Sequence, residues 1–301
     1  MNIDYPIIYE IAHKTYAINE FGMITFFVLV GRERGLVIDC GCASFDAKSL
    51  IHHLCPVPYD VVITHAHGEH CNGMGFFDQV WMHPLEMDAA SDMDQIFDRM
   101  YHNSSIWEGT TKRHYLVPLP DDSIWAYPAQ DLGAKNFYDF KNIDFTEFSH
   151  FPEFLPLQDG QEFSLDSLRK VKVIHLPGHT PGHCAFLDLE QRILFSGDGC
   201  CPNLNIRGTD VETAYRGLLN LNRHRQKFDR IYSAHTASGA DTAGFSLPPS
   251  IADDCLEACR TLLEGTAAVS EQHFIYYGNV RLRFDPDHVY SNEGQEPRLL
   301  H

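Results

Sequence analysis

The sequence predicts an α/β fold in which two α/β halves share one core. Three observations predict it. Short apolar runs of strand length recur in both halves, and two later stretches carry apolar residues at helical spacing. The order reads strands, helix, strands, then strands, helix, strand, helix. With 301 residues the chain can build a large core, as one domain or as two smaller ones.

Taken in chain order, residues 25–30 and 36–40 are apolar runs on either side of a polar turn at 31–35, and read as a hairpin. Ser44 is the expected cap of a short helix running to Leu54 and stopped by Pro56. The wholly apolar residues 61–63 read as a buried strand, and 79–82 as another. Residues 85–155 are rich in aromatics, Asp and Asn with weak periodicity, as in a functional lid or a covering insertion. Patterning returns after residue 160: 171–176, 183–189 and 192–196 read as strands, the last two a hairpin around Glu190 and Gln191. Thr209 and Glu212 form a capping box for a helix running to Gln226, and 231–233 is one more strand. A helix starting near Ser250 carries Ile251, Cys255, Cys259 and Leu262 on one face and ends at Gly265. Residues 274–300 alternate weakly and are expected to add edge strands.

Charge and cysteine usage exclude several classes. A net charge of −18, with no cluster of Lys or Arg, argues against a nucleic-acid surface and against anionic membranes. Apolar stretches such as 24–30 are too short to span a bilayer, and the first 27 residues lack the pattern of a signal peptide. The nine cysteines show no disulfide framework and read as buried, reduced thiols in a cytoplasm. The 18 histidines are more informative, because several fall just after apolar runs.

The decisive run is Thr64-His65-Ala66-His67-Gly68-Glu69-His70. It follows the apolar residues 61–63 directly and so sits at a strand's C-terminal end, where open α/β sheets place their sites. A lone loop histidine is ordinarily a solvated polar residue. Three imidazoles and a carboxylate packed this closely are hard to explain as packing: the imidazoles would repel one another if protonated, whereas as neutral ligands they suit Zn²⁺ or a similar metal. Ala66 and Gly68 are small enough to let the backbone turn tightly between them. The same context recurs at His179, Asp198 and His235, each just past an apolar run and flanked by Gly, Pro or Ser.

In these motifs and their order the chain resembles the metallo-β-lactamase superfamily, which includes class B β-lactamases, glyoxalase II, lactonases and transfer-RNA-processing nucleases. The likeness covers about residues 21–236. It implies a single domain over residues 1–301 with a four-layer αββα sandwich of two β-sheets flanked by helices; 85–155 would be an insertion and 270–301 an extension. The run Val37-Ile38-Asp39-Cys40-Gly41 looks like the family's first motif, whose aspartate, here Asp39, supports the site without ligating. By the same resemblance His65, His67 and His179 would hold one metal, Glu69, His70 and His235 a second, and Asp198 would bridge them. His183 matches a position that does not ligate and would hold a ligand in place. The implied cofactors are two divalent ions, zinc first, with manganese or iron as alternatives. The family carries aspartate where this chain has Glu69, whose side chain reaches about 1.5 Å further.

The resemblance implies a metal-dependent hydrolase in which a metal-bridging hydroxide attacks a small-molecule ester, thioester, lactone or phosphodiester. Glu69 or Asp198 would relay a proton to the leaving group. The alternative within the same fold is a mononuclear iron, persulfide dioxygenase-like oxidoreductase, with Glu69 spoiling the second metal position. Flavodiiron enzymes are disfavoured because His67 stands where they carry glutamate. Tyr101, Trp107, His114 and Tyr115 are candidates to line the pocket from the insertion. The expected partner is a small-molecule substrate, with no nucleic acid or membrane, in the cytoplasm; a homo-oligomer stays open.

Overall fold

The structure, a computed structural model, describes residues 6–20, 24–91, 146, 148, 151–206, 208–235 and 246–291. Two sheets carry the fold. The first has seven strands in spatial order: β1 (Ile7–Ala12), β2 (Thr15–Glu20), β3 (Ile24–Val30), β4 (Gly35–Ile38), β5 (Tyr59–Val62), β6 (Gln79–Met82) and β7 (Glu153–Pro156). Pairing is antiparallel from β1 to β4 and parallel from β4 to β7. The switch falls where α1 (Ala47–Leu54) joins β4 to β5, because a parallel neighbour needs a crossover and a hairpin cannot supply one. Two short helices follow, α2 (Gly68–Cys71) and α3 (Pro84–Ala90).

The second sheet runs β12-β11-β10-β9-β8, built from β8 (Glu162–Ser164), β9 (Lys170–His175), β10 (Cys184–Asp188), β11 (Ile193–Gly197) and β12 (Arg230–Ser233). Only β11 and β12 are parallel, and α4 (Val211–Asn222) makes their crossover. Helix α5 (Ser250–Leu263) then packs beside α4, with a separate hairpin of β13 (Phe274–Tyr277) and β14 (Val280–Arg283) against it.

Alternation along the strands sets the layers. In β3, Phe27 and Leu29 face the second sheet, while Phe26, Val28 and Val30 face the α1 side. In β10 and β11, Phe186, Ile193 and Phe195 join that same inter-sheet core, while Ala185, Leu187 and Leu194 pack under α4 and α5. The result is helix, sheet, sheet, helix: the four-layer sandwich. A buried ion pair pins the sheets together. Arg169 donates to the Asp188 carboxylate through Nε at 2.9 Å and Nη2 at 2.7 Å, and also to Thr15 Oγ1 and the Val30 carbonyl.

The strands at 79–82, 171–176, 183–189, 192–196 and 231–233 lie within about a residue of their expected positions, a scatter usual for element ends. Both caps differ. Asp46, not Ser44, caps α1 by accepting from Ser49 N, because the Ser44 hydroxyl donates to the buried Glu20 carboxylate. Asp210, not Thr209, caps α4 through Thr213 N, because Thr209 donates to the Gly178 carbonyl; α4 stops at Asn222. The C-terminal strands pair with each other and extend neither main sheet. Within 85–155, α3 and β7 are regular elements; Tyr101, Trp107, His114 and Tyr115 lie outside the described residues. No helix among the described residues is long and apolar enough to cross a membrane.

Candidate metal centre

The sequence-predicted residues meet at the C-terminal ends of β4, β5, β9, β11 and β12. Asp39 follows β4 with φ +63°, a left-handed conformation that Asp tolerates better than most residues. Its N–H donates to the Val62 carbonyl, which fastens it to the end of β5. Its Oδ1 accepts from Thr64 N at 2.7 Å, and its Oδ2 accepts from the Thr64 hydroxyl at 2.9 Å and from His70 Nδ1 at 2.9 Å.

These bonds decide which ring nitrogens are available. With its hydrogen spent on Asp39, Thr64 Oγ1 is an acceptor for the Nδ1–H of His65 at 3.0 Å, which leaves a lone pair on His65 Nε2. His179 Nδ1 donates to the Asn205 carbonyl at 2.8 Å, which leaves its Nε2 bare as well. Both bare nitrogens face His67 Nδ1, at 3.0 Å from His65 and 3.1 Å from His179. Asp198 Oδ2 lies 3.4 Å from His179 Nε2. At most one hydrogen can be shared among three nitrogens so arranged. Nitrogens bound tetrahedrally to zinc at about 2.0–2.1 Å sit roughly 3.3 Å apart, so this donor set fits a metal ion.

Glu69, His70 and His235 form an adjacent group whose donor atoms all lie within 4.8 Å of one another. Glu69 Oε1 is 3.8 Å from His235 Nε2. His70 Nε2 is fully buried with no hydrogen-bond partner and faces Asp198 Oδ1 at 3.7 Å, while Asp198 Oδ2 is 3.2 Å from His235 Nε2. An orphaned buried nitrogen of this kind is costly unless something ligates it. Asp198 therefore stands between the two groups: its Oδ2 faces His179 of the first and His235 of the second, and its Oδ1 faces His70. Both the first group and this one suit a divalent ion.

Protonation follows position. Burial and the neighbouring rings hold His65 well below the usual imidazole range, and burial with His179 beside it brings His67 to about 4. Burial opposes ionisation of Asp198 and Glu69. The rings of His235 and His70 around Asp198, and of His67, His70 and His235 around Glu69, nonetheless hold both carboxyls below their ordinary values.

His183 stays outside both donor groups. Its Nε2 accepts the backbone N–H groups of Asp198 and Gly199, each at 3.1 Å, so the ring anchors the loop that carries Asp198. Sequence reasoning missed Glu86, on α3. It is 2% exposed; its Oε2 accepts from Ala66 N at 2.8 Å and its Oε1 from Gly182 N at 2.6 Å. No sequence signal marks it, because both its partners are backbone groups.

Residues 19–269 match the family model described as the metallo-beta-lactamase superfamily. The chain belongs to that superfamily. Among curated relatives, it is 28% identical over 183 residues to the acyl-coenzyme A thioesterase MBLAC2 of Gallus gallus, covering 56% of this chain and 54% of that one. It is 44% identical over 41 residues to hydroxyacylglutathione hydrolase GloC of Haemophilus influenzae, 14% of this chain and 19% of that one. The chain spans about half the length of the MBLAC2 relatives it matches. A solved metallo-beta-lactamase from Pontibacter korlensis superposes with a TM-score of 0.52 at 15% identity, over 85% of this chain and 99% of that one, and shares the fold. Membership of the superfamily and the two donor groups agree on a site suited to divalent metal ions.

Proposed function

We propose that this member of the superfamily hydrolyses a small-molecule thioester at a two-metal site. The observation that carries the reading is the convergence of His65 Nε2, His67 Nδ1 and His179 Nε2 beside Asp198, next to a second group of Glu69, His70 and His235. The first set would hold one divalent ion and the second another, with Asp198 shared, zinc being the best fit to this mixture of imidazole and carboxylate. When bound, such ions polarise a carbonyl oxygen and acidify water at neutral pH.

The chain's own groups narrow the bond. Carboxylates that ligate a metal are deprotonated, so Glu69 and Asp198 would carry no proton to donate to a leaving group at the start. A thiol ionises near pH 8.5, so a thiolate leaves a tetrahedral centre with little acid assistance. An alkoxide or amide nitrogen needs more. Two relatives named for acyl-coenzyme A and hydroxyacylglutathione hydrolysis support the same bond class. The nine cysteines, all free and buried, fit a reducing cytoplasm.

The test is metal content of the purified protein together with loss of thioester absorbance on acyl-coenzyme A and acyl-glutathione substrates. Two equivalents of zinc, activity lost on chelation and regained with zinc, and one equivalent left in Glu69→Ala are expected. One equivalent of iron with oxygen uptake on a persulfide would replace this reading with the dioxygenase.

A further inference from the structure

Glu86 is a buried acid on an element that contributes no donor atom to the site. It forms no ion pair among the described residues, and its two oxygens are each taken by a backbone N–H. A buried carboxylate is expensive unless hydrogen-bonded, and a charge-assisted bond to an amide is correspondingly strong. The two amides belong to different loops. Ala66 lies between His65 and His67 after β5 of the first sheet, whereas Gly182 lies between His179 and His183 after β9 of the second.

We propose that Glu86 is the positioning residue that locks these two loops at the separation metal binding requires. The inference rests on the metal-site reading above. One carboxylate spans both loops because it has two acceptor oxygens. Glutamine offers one acceptor, and would turn its amide N–H against the other backbone N–H.

The surroundings close around the clamp. A Cβ at Gly182 would fall 2.7 Å from Glu86 Cγ and 2.9 Å from both Glu86 Oε1 and His83 Nδ1, so the loop approaches α3 as nearly as a glycine allows. His83, the residue that caps α3, stacks on His175 with centroids 4.2 Å apart and planes 3° from parallel. His175 Nε2 donates to the Pro181 carbonyl at 3.0 Å, which ties the same loop from its other side. Cys184 N donates to Thr64 O at 2.9 Å, so the loops are also joined directly. That bond sets their contact; Glu86 sets their spacing at the ligands.

The experiment measures zinc affinity by competition with a chromophoric chelator in Glu86→Gln, Gly182→Ala and a remote core variant, Leu262→Ala, at a temperature where each is folded. Hydrogen exchange of the Ala66 and Gly182 amides in metal-free protein is measured beside it. Expected are about 10–100-fold weaker zinc binding in Glu86→Gln and Gly182→Ala, the range for lost support of a ligand, with faster exchange at the bonded amides. Leu262→Ala should lower the melting temperature without changing zinc affinity. Wild-type affinity in both loop variants overturns the inference. No zinc binding by the wild-type protein would instead overturn the metal-site reading.

Discussion

The carboxylate of Asp39 and the imidazole of His70 meet at 2.9 Å where both are almost wholly buried. The pair fixes the tautomer of His70, turns its Nε2 toward Asp198, and ties the end of β4 to the run that begins at Thr64. Asp39→Asn keeps a side chain that tolerates positive φ but puts an amide where His70 and Thr64 need an acceptor. Zinc affinity of the group containing His70 should fall about 10–100-fold, measured by chelator competition. Unchanged affinity would reduce Asp39 to a turn residue.

Gly197 sits at φ +51°, and a Cβ there would lie 2.7 Å from His183 Nε2 and 3.1 Å from Thr64 Cβ. Gly197→Ala is therefore strained in backbone and crowded in space. It should destabilise the fold by about 1–3 kcal/mol and disturb Asp198, the next residue. Urea unfolding and zinc stoichiometry report the two effects separately.

Arg169 is 3% exposed and Asp188 fully buried, so Arg169→Met strands a buried carboxylate. A loss of about 3–5 kcal/mol is expected. Adding Asp188→Leu should recover only part of it, because Asp188 Oδ1 also accepts from Glu190 N and Gln191 N in the hairpin turn. Urea unfolding of the single and double variants with chelator present makes the comparison. Full recovery in the double variant would mean that the turn bonds contribute nothing.

Burial, and then the neighbouring His175, lower His83 to about 4. An unfolded histidine titrates near 6.5, so between roughly pH 6.5 and 4 the unfolded chain binds more protons and stability falls as the pH is lowered. Below that window both states are protonated and the contribution levels off. His83→Asn keeps a side chain able to accept from Leu85 N and cap α3, but removes the titration. The stability lost between pH 7 and 5 should shrink by about 1 kcal/mol, a figure reduced for the ring's partial exposure. Equal losses in both proteins would show that other groups set the acid sensitivity.

How far the sequence could be read depended on how local each signal was. His65, His67, Glu69 and His70 were legible as a group because they crowd one short loop at the end of an apolar strand. The inter-sheet strands β10 and β11 were legible because both their faces are buried, and they read as continuous apolar runs. By contrast β1 and β2 were missed: Thr15–Glu20 mixes polar residues whose burial depends on neighbours far along the chain. The caps were misplaced because Ser44 and Thr209 have nonlocal partners, Glu20 and the Gly178 carbonyl, that outcompete the helix ends.

By itself the sequence determined the α/β class, the central strands and the identity of the residues that converge, because periodicity and strand-end loops are properties of adjacent residues. Only the tertiary structure decided which nitrogens of His65, His70 and His179 are bare, that His183 anchors Asp198 from outside both donor groups, and that Glu86 joins two loops from different sheets. The tautomers of His65 and His70 rest on the side chains of Thr64 and Asp39, and the other facts on hydrogen bonds to backbone groups, which any residue supplies. Their partners are chosen by how the two sheets pack, and that packing leaves no pattern in the order of the residues.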